Sequence, residues 1–426
     1  MQFGFTKALI IGGSKMAVIK PFQCVRPDKA LVSRVAALPY DVYTRKEAFL
    51  EAKKDELSFL NIDRPETQFE ETMDMYAKEV YQRARQLYEE RLLDHTYIKD
   101  TTPCYYIYEL IMEGRSQTGI VACASIDDYL NHVIMKHENT REEKEQDRIH
   151  HVDTMSAQTG PIFLAYRSNA IISQLVHKTQ EEEPIYSFTS ADGITHRVWR
   201  MEDLTSIHTI QEQFELISQI YIADGHHRAA SAVKVGLKRR NESPNYTGYE
   251  EFNNFLAVLF PEDQLMIMPY NRVVRDLNGM SKQEFLTKVA ERFDMIPSAQ
   301  PVHPEKKCTF GMYLNGSWYH LTAKPEICTF KDSVEALDVS ILQNYLLTPI
   351  LGIQDPRTDS RIDFIGGIRG LGELEKRVNE DMAVAFSMYP TSIQELFAVA
   401  DAKQLMPPKS TWFEPKLRSG IFIHEI

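Results

Sequence analysis

The stretch YIADGHHRAASAV, Tyr221 to Val233, changes character in its middle. Ile217 to Ala223 is an apolar, β-branched run of strand length. Asp224 then offers a carboxylate that caps a following helix, and Gly225 permits a backbone conformation closed to other residues. The small residues from Ala229 onward suit a helix packed closely on a sheet. A strand running through a tight polar turn into a helix places Asp224, His226, His227 and Arg228 where α/β folds bind ligands. A helix N-terminus carries unpaired N–H groups and partial positive charge, and Arg and His beside it make a phosphate site. The same residues also fit a plain capped turn. A metal site is not expected: neighbouring histidines point apart, and no HExxH pattern or cysteine partner accompanies them.

Working outward, 426 residues predict two or three domains. Hydrophobic residues at 43% and charged residues at 25% are those of a globular protein with a sizeable core. A net charge of −12 argues against general nucleic-acid binding. The five cysteines include no CxxC, which fits a reducing compartment. No apolar run reaches bilayer-spanning length, and the N-terminus lacks a signal peptide pattern, so a cytoplasmic chain with no membrane partner is expected. Translation starts at Met1 or Met16, since organised sequence begins at MAVIKPFQCVRP. The oligomeric state stays open.

Strands and helices are mixed along the chain. Phe69 to Leu93 predicts one long amphipathic helix, and CYYIYEL and GIVACASI predict a hairpin looped by MEGRSQ. Ser281 is a helix N-cap, and Asn315-Gly316 a hairpin turn. The last third alternates strand and helix, which predicts a parallel or mixed α/β arrangement. The expected divisions are an extension over 1–15, an α/β region over 16–160, a core carrying the DGHHR turn over 161–300, and a C-terminal α/β region over 301–426.

Three further segments carry candidate chemistry. In KHENTREEKEQDR, Lys136 to Arg148, Thr140 and Glu143 have capping-box spacing, and Arg141, Lys144 and Arg148 share one helical face. That face reads either as solvated or as basic lining. Glu138, just before the helix, is placed to serve as a general base or to hold Mg²⁺. In the tail MPPKSTWFEPKLRSGIFIHEI, the residues Lys409, Ser410, Thr411 and Arg418 line an anion pocket, or the segment is a strap held by its aromatics. The Gly-rich stretches IIGGSK and FIGGIRGLGE match neither phosphate-loop pattern and carry little.

Taken together, IKPFQCVRP, LPYDV, SFLNIDRPE, KHENTREEKEQDR, TGPIFLAY, YIADGHHRAASA and the tail resemble DUF1015, a bacterial and archaeal family of unknown function, from about Met16 to the C-terminus. The DGHHR turn is similar to that of the ParB/sulfiredoxin superfamily, which includes free serine kinases. The resemblance implies a mixed α/β fold with a ParB/sulfiredoxin-like nucleotide-binding core and additional mixed-sheet regions. It implies a nucleotide-dependent phosphotransferase acting on serine or phosphoserine, using ATP or ADP and Mg²⁺. In that reading Asp224, Glu138 and His226 are catalytic. Gly225, His226, His227, Arg228, Thr140 and Arg141 hold the nucleotide phosphates. Lys409, Ser410, Thr411 and Arg418 bind the substrate. The alternative is a ParB-like nucleotide-binding regulator without small-molecule chemistry, which lacks the basic helix-turn-helix expected of it. A sulfiredoxin-like reductase would need a cysteine where this turn has His226.

Overall fold

The computed structural model describes residues 16–426. The 1–15 extension and IIGGSK lie outside the described residues. The described chain is mixed α/β and divides into two compact units. The first comprises residues up to Met135, Thr140–Gln264 and Leu417–Ile426; the second comprises Lys136–Asn139 and Leu265–Lys416.

The first unit is built on nine strands among the described residues: β1 (Ile19–Lys20), β2 (Tyr105–Met112), β3 (Arg115–Ser125), β4 (Ile134–Met135), β5 (Ile162–Tyr166), β6 (Tyr186–Thr189), β7 (Thr195–Met201), β8 (Ile220–Asp224) and β9 (Asn254–Pro261). They lie in the order β4-β8-β5-β9-β3-β2-β7-β6, with β1 beside β3. The sheet is mixed. β8 runs parallel to β4 and antiparallel to β5, while β5 runs parallel to β9. Alternate residues Ile120, Ile162, Leu164, Ile222, Ala257 and Leu259 form one core face, as a period of two requires. The intervening Val121, Phe163, Ala165 and Val258 are buried as well, so both faces are covered and the strands read as unbroken apolar runs.

Three helices matter for the site: α1 (Lys78–Leu93), α2 (Glu142–Met155) and α3 (His226–Glu242). Ala229, Ala232 and Val233 of α3 enter the sheet core, where small side chains allow close approach. α1 is shorter than its sequence predicts. Asp74 accepts a hydrogen bond from the Tyr76 amide at 3.0 Å. Such a side-chain turn competes with helix, so the helix begins at Lys78. The β2–β3 hairpin is also tighter than expected. Glu113 and Gly114 both adopt positive φ, 51° and 79°, and Met112 pairs directly with Arg115, so MEGRSQ is mostly strand.

The second unit holds a six-stranded sheet: β10 (Tyr270–Val274), β11 (Phe293–Ser298), β12 (Thr309–Leu314), β13 (Ser317–Ala323), β14 (Ile362–Gly366) and β15 (Val384–Ser387). The order is β11-β13-β12-β15-β10-β14. Every neighbouring pair is antiparallel, which corrects the parallel or mixed arrangement expected for the last third. The alternation itself is present: β14, a helix over Gly370–Glu380, and β15 follow one another. However, β10 inserts between the two strands and runs antiparallel to both, so they never pair. Asn315 and Gly316 turn β12 into β13 at φ 47° and 78°, as the sequence predicts. Ser281 caps its helix through a full capping box with Glu284. No helix among the described residues is long and apolar enough to cross a membrane.

Candidate functional site

β8 delivers the chain to the DGHHR turn. Four of its five residues are buried, and Asp224 at its end is half-exposed. Gly225 is the N-cap of α3 at φ 95° and ψ 32°, and it has no side chain with which to close the helix. Asp224 does not cap α3 from the N-cap position. Its Oδ1 accepts from the Gly225 amide at 3.0 Å, and its Oδ2 lies 3.7 Å from Arg228 Nη2. The carboxylate is therefore tied to the first turn of the helix it precedes.

The three basic residues diverge. His226 is buried. His227 Nε2 accepts from the Arg141 amide at 2.9 Å, so a neutral ring carries its proton on Nδ1. Arg228 turns back under the loop, where Nη1 donates to Pro161 O at 2.6 Å and the side chain is only 10% exposed. A Cβ on Gly225 would stand 3.0 Å from Arg228 Nε, so any larger residue at 225 would press on the inward-packed Arg228.

Arg228 reaches a small cavity of about 30 Å³ lined also by Tyr40, Asp63, Arg148, His151 and Thr159. That is room for one water molecule. Arg148 stacks over the Tyr40 ring at 4.0 Å, bonds Asp147 at 2.8 Å and lies 3.8 Å from Asp63. Thr159 Oγ1 donates to Asp63 at 3.2 Å, and His151 Nε2 lies 2.9 Å from the Ile62 carbonyl. Burial and the Arg148 charge push the His151 pKa down, which favours a neutral ring donating to that carbonyl. Burial disfavours a charged Arg148, yet Asp147, Tyr40 and Asp63 hold its guanidinium more firmly protonated than usual.

Tyr40 comes from LPYDV, Asp63 from SFLNIDRPE, Arg148 from KHENTREEKEQDR, Thr159 from TGPIFLAY and Arg228 from the DGHHR turn. Five segments far apart in sequence thus meet at one buried polar cluster beside the turn. Sequence reading singled out Arg228 but missed Asp63, His151 and Thr159 as partners. A signal was present in α2, where Glu145, Arg148, His151 and Met155 are its buried residues at helical spacing. That core-facing stripe is filled with polar groups, and it corrects the reading of Arg148 as part of a solvated face.

The segment before α2 also differs from expectation. The capping box of Thr140 and Glu143 does not form, and Arg141 is the N-cap without a side-chain bond. Thr140 instead donates to Glu145 Oε2 at 2.7 Å. Burial works against the Glu145 charge, but Lys234 and Thr140 keep its carboxyl below the usual range. Arg141 is exposed. Glu138 is half-buried and lies in the four-residue segment that clusters with the second unit.

The tail divides between the units. Lys409, Ser410 and Thr411 fall in the second unit. There Lys409 Nζ lies over the Tyr270 ring at 5.4 Å, Ser410 Oγ donates to Pro407 O at 2.6 Å, and Thr411 precedes a strand, Trp412–Glu414, that pairs with Met266–Met268. Arg418 belongs to the first unit, where its side chain is ion-paired with Asp192. Within the first unit Cys24, Cys104 and Cys123 are buried free thiols, and burial pushes their pKa values up. Thiol chemistry favours the opposite surroundings.

The family model described as protein of unknown function, DUF1015, matches residues 19–340. The chain belongs to the DUF1015 family. No curated protein matches it. Among solved structures, a free serine kinase in complex with AMP aligns with a TM-score of 0.35 and 12% identity, covering 72% of this DUF1015 chain and 91% of its own. SbnI with C-terminal truncation from Staphylococcus aureus aligns with a TM-score of 0.38 and 11% identity, covering 69% and 82%. A conserved hypothetical protein from Pyrococcus furiosus aligns with a TM-score of 0.33 and 11% identity, covering 73% and 96%. Nothing about the chemistry of this chain follows from likenesses of that size.

Proposed function

We propose that this DUF1015 protein is a nucleotide-dependent phosphotransferase that moves a phosphoryl group between a nucleotide and free serine or phosphoserine. One observation carries the reading. The half-exposed carboxylate of Asp224 ends a strand at a helix N-terminus that is capped only by a glycine in the left-handed region. Backbone N–H groups at such an end favour phosphate oxygens. Phosphoryl transfer asks the protein chiefly for positioned charge.

In this reading the amides of the turn, with His226 and His227, receive phosphate oxygens, and Arg228, packed under the loop on Pro161 O, adds positive charge from beneath. Thr140 and Arg141 flank them, since the Arg141 amide is bonded to the His227 ring. Asp224 orients the serine hydroxyl. Glu138 is the carboxylate that the family resemblance offers as the base for its proton. The fit to a magnesium nucleotide rests on the turn itself: the hard carboxylate oxygens of Asp224 beside the backbone amides of a helix N-terminus. The Mg²⁺ nucleotide, when bound, supplies the transferable phosphoryl group and neutralises charge on its oxygens.

The test is to incubate purified protein with Mg²⁺ and serine plus ATP, or phosphoserine plus ADP, and to follow the phosphorus species by NMR. Turnover is expected in at least one direction. Asp224→Ala should lower it by about 10³-fold and Glu138→Gln by about 10²-fold or more. Full activity in Asp224→Ala would overturn the assignment.

A further inference from the structure

The first unit contains a second cavity, of about 210 Å³, whose polar lining is Tyr43, Glu51, Ser58, Ser190, Asp192 and Arg418, with alanine and leucine between them. Arg418 is 97% buried by side chain, against 3% exposed. It is rigidly held. Nη2 donates to Ser190 Oγ at 3.0 Å and to Asp192, and Nε points to His196 Nε2 at 3.4 Å. His196 is itself fixed by the Tyr108 hydroxyl at 2.8 Å on Nδ1 and is stacked on Phe188 at 4.9 Å. One arm of the guanidinium remains: Nη1 is buried and has no hydrogen-bond partner.

A buried charged donor left unpaired is costly, and its natural complement is an acceptor such as a carboxylate. A simple anion is a poor match, because Asp192 already neutralises Arg418 and Glu51 adds a further negative charge to the lining. A ligand carrying both a carboxylate and an ammonium satisfies both signs. The volume is below that of a drug-sized pocket, so the ligand must be small.

We propose that this cavity binds a small zwitterionic α-amino acid, with its carboxylate on Arg418 and its ammonium toward Asp192 and Glu51. The site is separate from the DGHHR turn. The next residue, Ser419, lies near Gly160 instead: its Oγ stands 3.3 Å from where a Cβ on Gly160 would lie, and the Arg228 side chain is 3.6 Å from the same point. Successive residues of one segment therefore border this cavity and the packed side chain of Arg228. The proposal does not depend on the phosphotransfer reading.

The experiment is calorimetric titration of the full chain with glycine, L-alanine and L-serine, with acetate and methylamine as half-ligands. Glycine or L-alanine, which carry no hydroxyl to phosphorylate, should bind, and each half-ligand should bind at least ~10-fold more weakly. Ala191→Trp, at an exposed position on the lining, should abolish binding while leaving the unfolding temperature unchanged; Asp192→Asn should weaken it ~10-fold. Asp224→Ala should bind normally. Failure of both glycine and L-alanine, acetate binding as tightly as they do, glycine or L-alanine binding that survives Ala191→Trp, or glycine or L-alanine binding lost in Asp224→Ala would each overturn the proposal. None of these results depends on phosphotransfer activity.

Discussion

Gly225→Ala tests the turn at its most constrained atom. Gly225 sits at φ 95°, outside the region open to L-residues, and a left-handed backbone costs about 1–2 kcal/mol for a residue with a Cβ. The added methyl would also stand 3.0 Å from Arg228 Nε and Nη2 and 3.1 Å from Cζ. Contacts that short force the guanidinium to shift. Its bond to Pro161 O at 2.6 Å is then strained or lost, at about 1.5–3 kcal/mol for a charged donor. The total is about 2.5–5 kcal/mol if Arg228 is displaced, and about 1–2 kcal/mol if it adjusts while keeping Pro161. Hydrogen-exchange mass spectrometry reads this locally, as the opening free energy of amides in Ile220–Val235. Gly225→Asn should recover part of the backbone cost, because asparagine tolerates positive φ, but it keeps the contact with Arg228. An alanine variant within ~0.5 kcal/mol of the parent would refute both the strained cap and the inward packing of Arg228.

Two buried titrating groups predict opposite pH dependences. Burial raises the Asp338 carboxyl to about 7. The folded state thus binds its proton more tightly than the unfolded one, and this contribution is full below about pH 4 and lost as pH rises through 7. Asp338→Asn should stabilise the second unit at pH 8 by ~1–3 kcal/mol, since relief of up to ~4 kcal/mol is offset by an unpaired amide where Oδ2 now lacks a partner. Chemical denaturation of parent and variant at pH 5 and pH 8 checks the sign; a larger gain at pH 5 would contradict it. Burial and the Arg418 charge lower His196 to about 3. The unfolded chain binds that proton first, so the contribution is present above pH 6.5 and is lost as pH falls toward 3, by at most ~5 kcal/mol. His196→Gln should flatten the loss of stability between pH 6.5 and 4, and an unchanged slope would mean that the ring is already charged.

The local chemistry of turns and caps is written in short stretches of the chain. Asn315-Gly316 and the Ser281–Glu284 pair act through neighbours in the chain, so three or four residues suffice to specify them. The strand, glycine and helix around Asp224 are local for the same reason. Family membership was legible too, because several motifs occur in a fixed order. What those motifs meet depends on how distant segments pack together. Arg148 sits in a helix rich in charge, and periodicity alone could not say that its side chain is buried on Tyr40 and faces Asp63 from eighty-five residues earlier in the chain. The antiparallel sheet of the second unit depends on β10 inserting between two strands that follow it in sequence by about ninety residues or more. Lys409 and Arg418 lie nine residues apart yet belong to different units, because the intervening strand Trp412–Glu414 pairs with Met266–Met268 before the chain returns to the first sheet's unit. Such choices follow from pairing energies between distant segments, and no window of the sequence contains both partners.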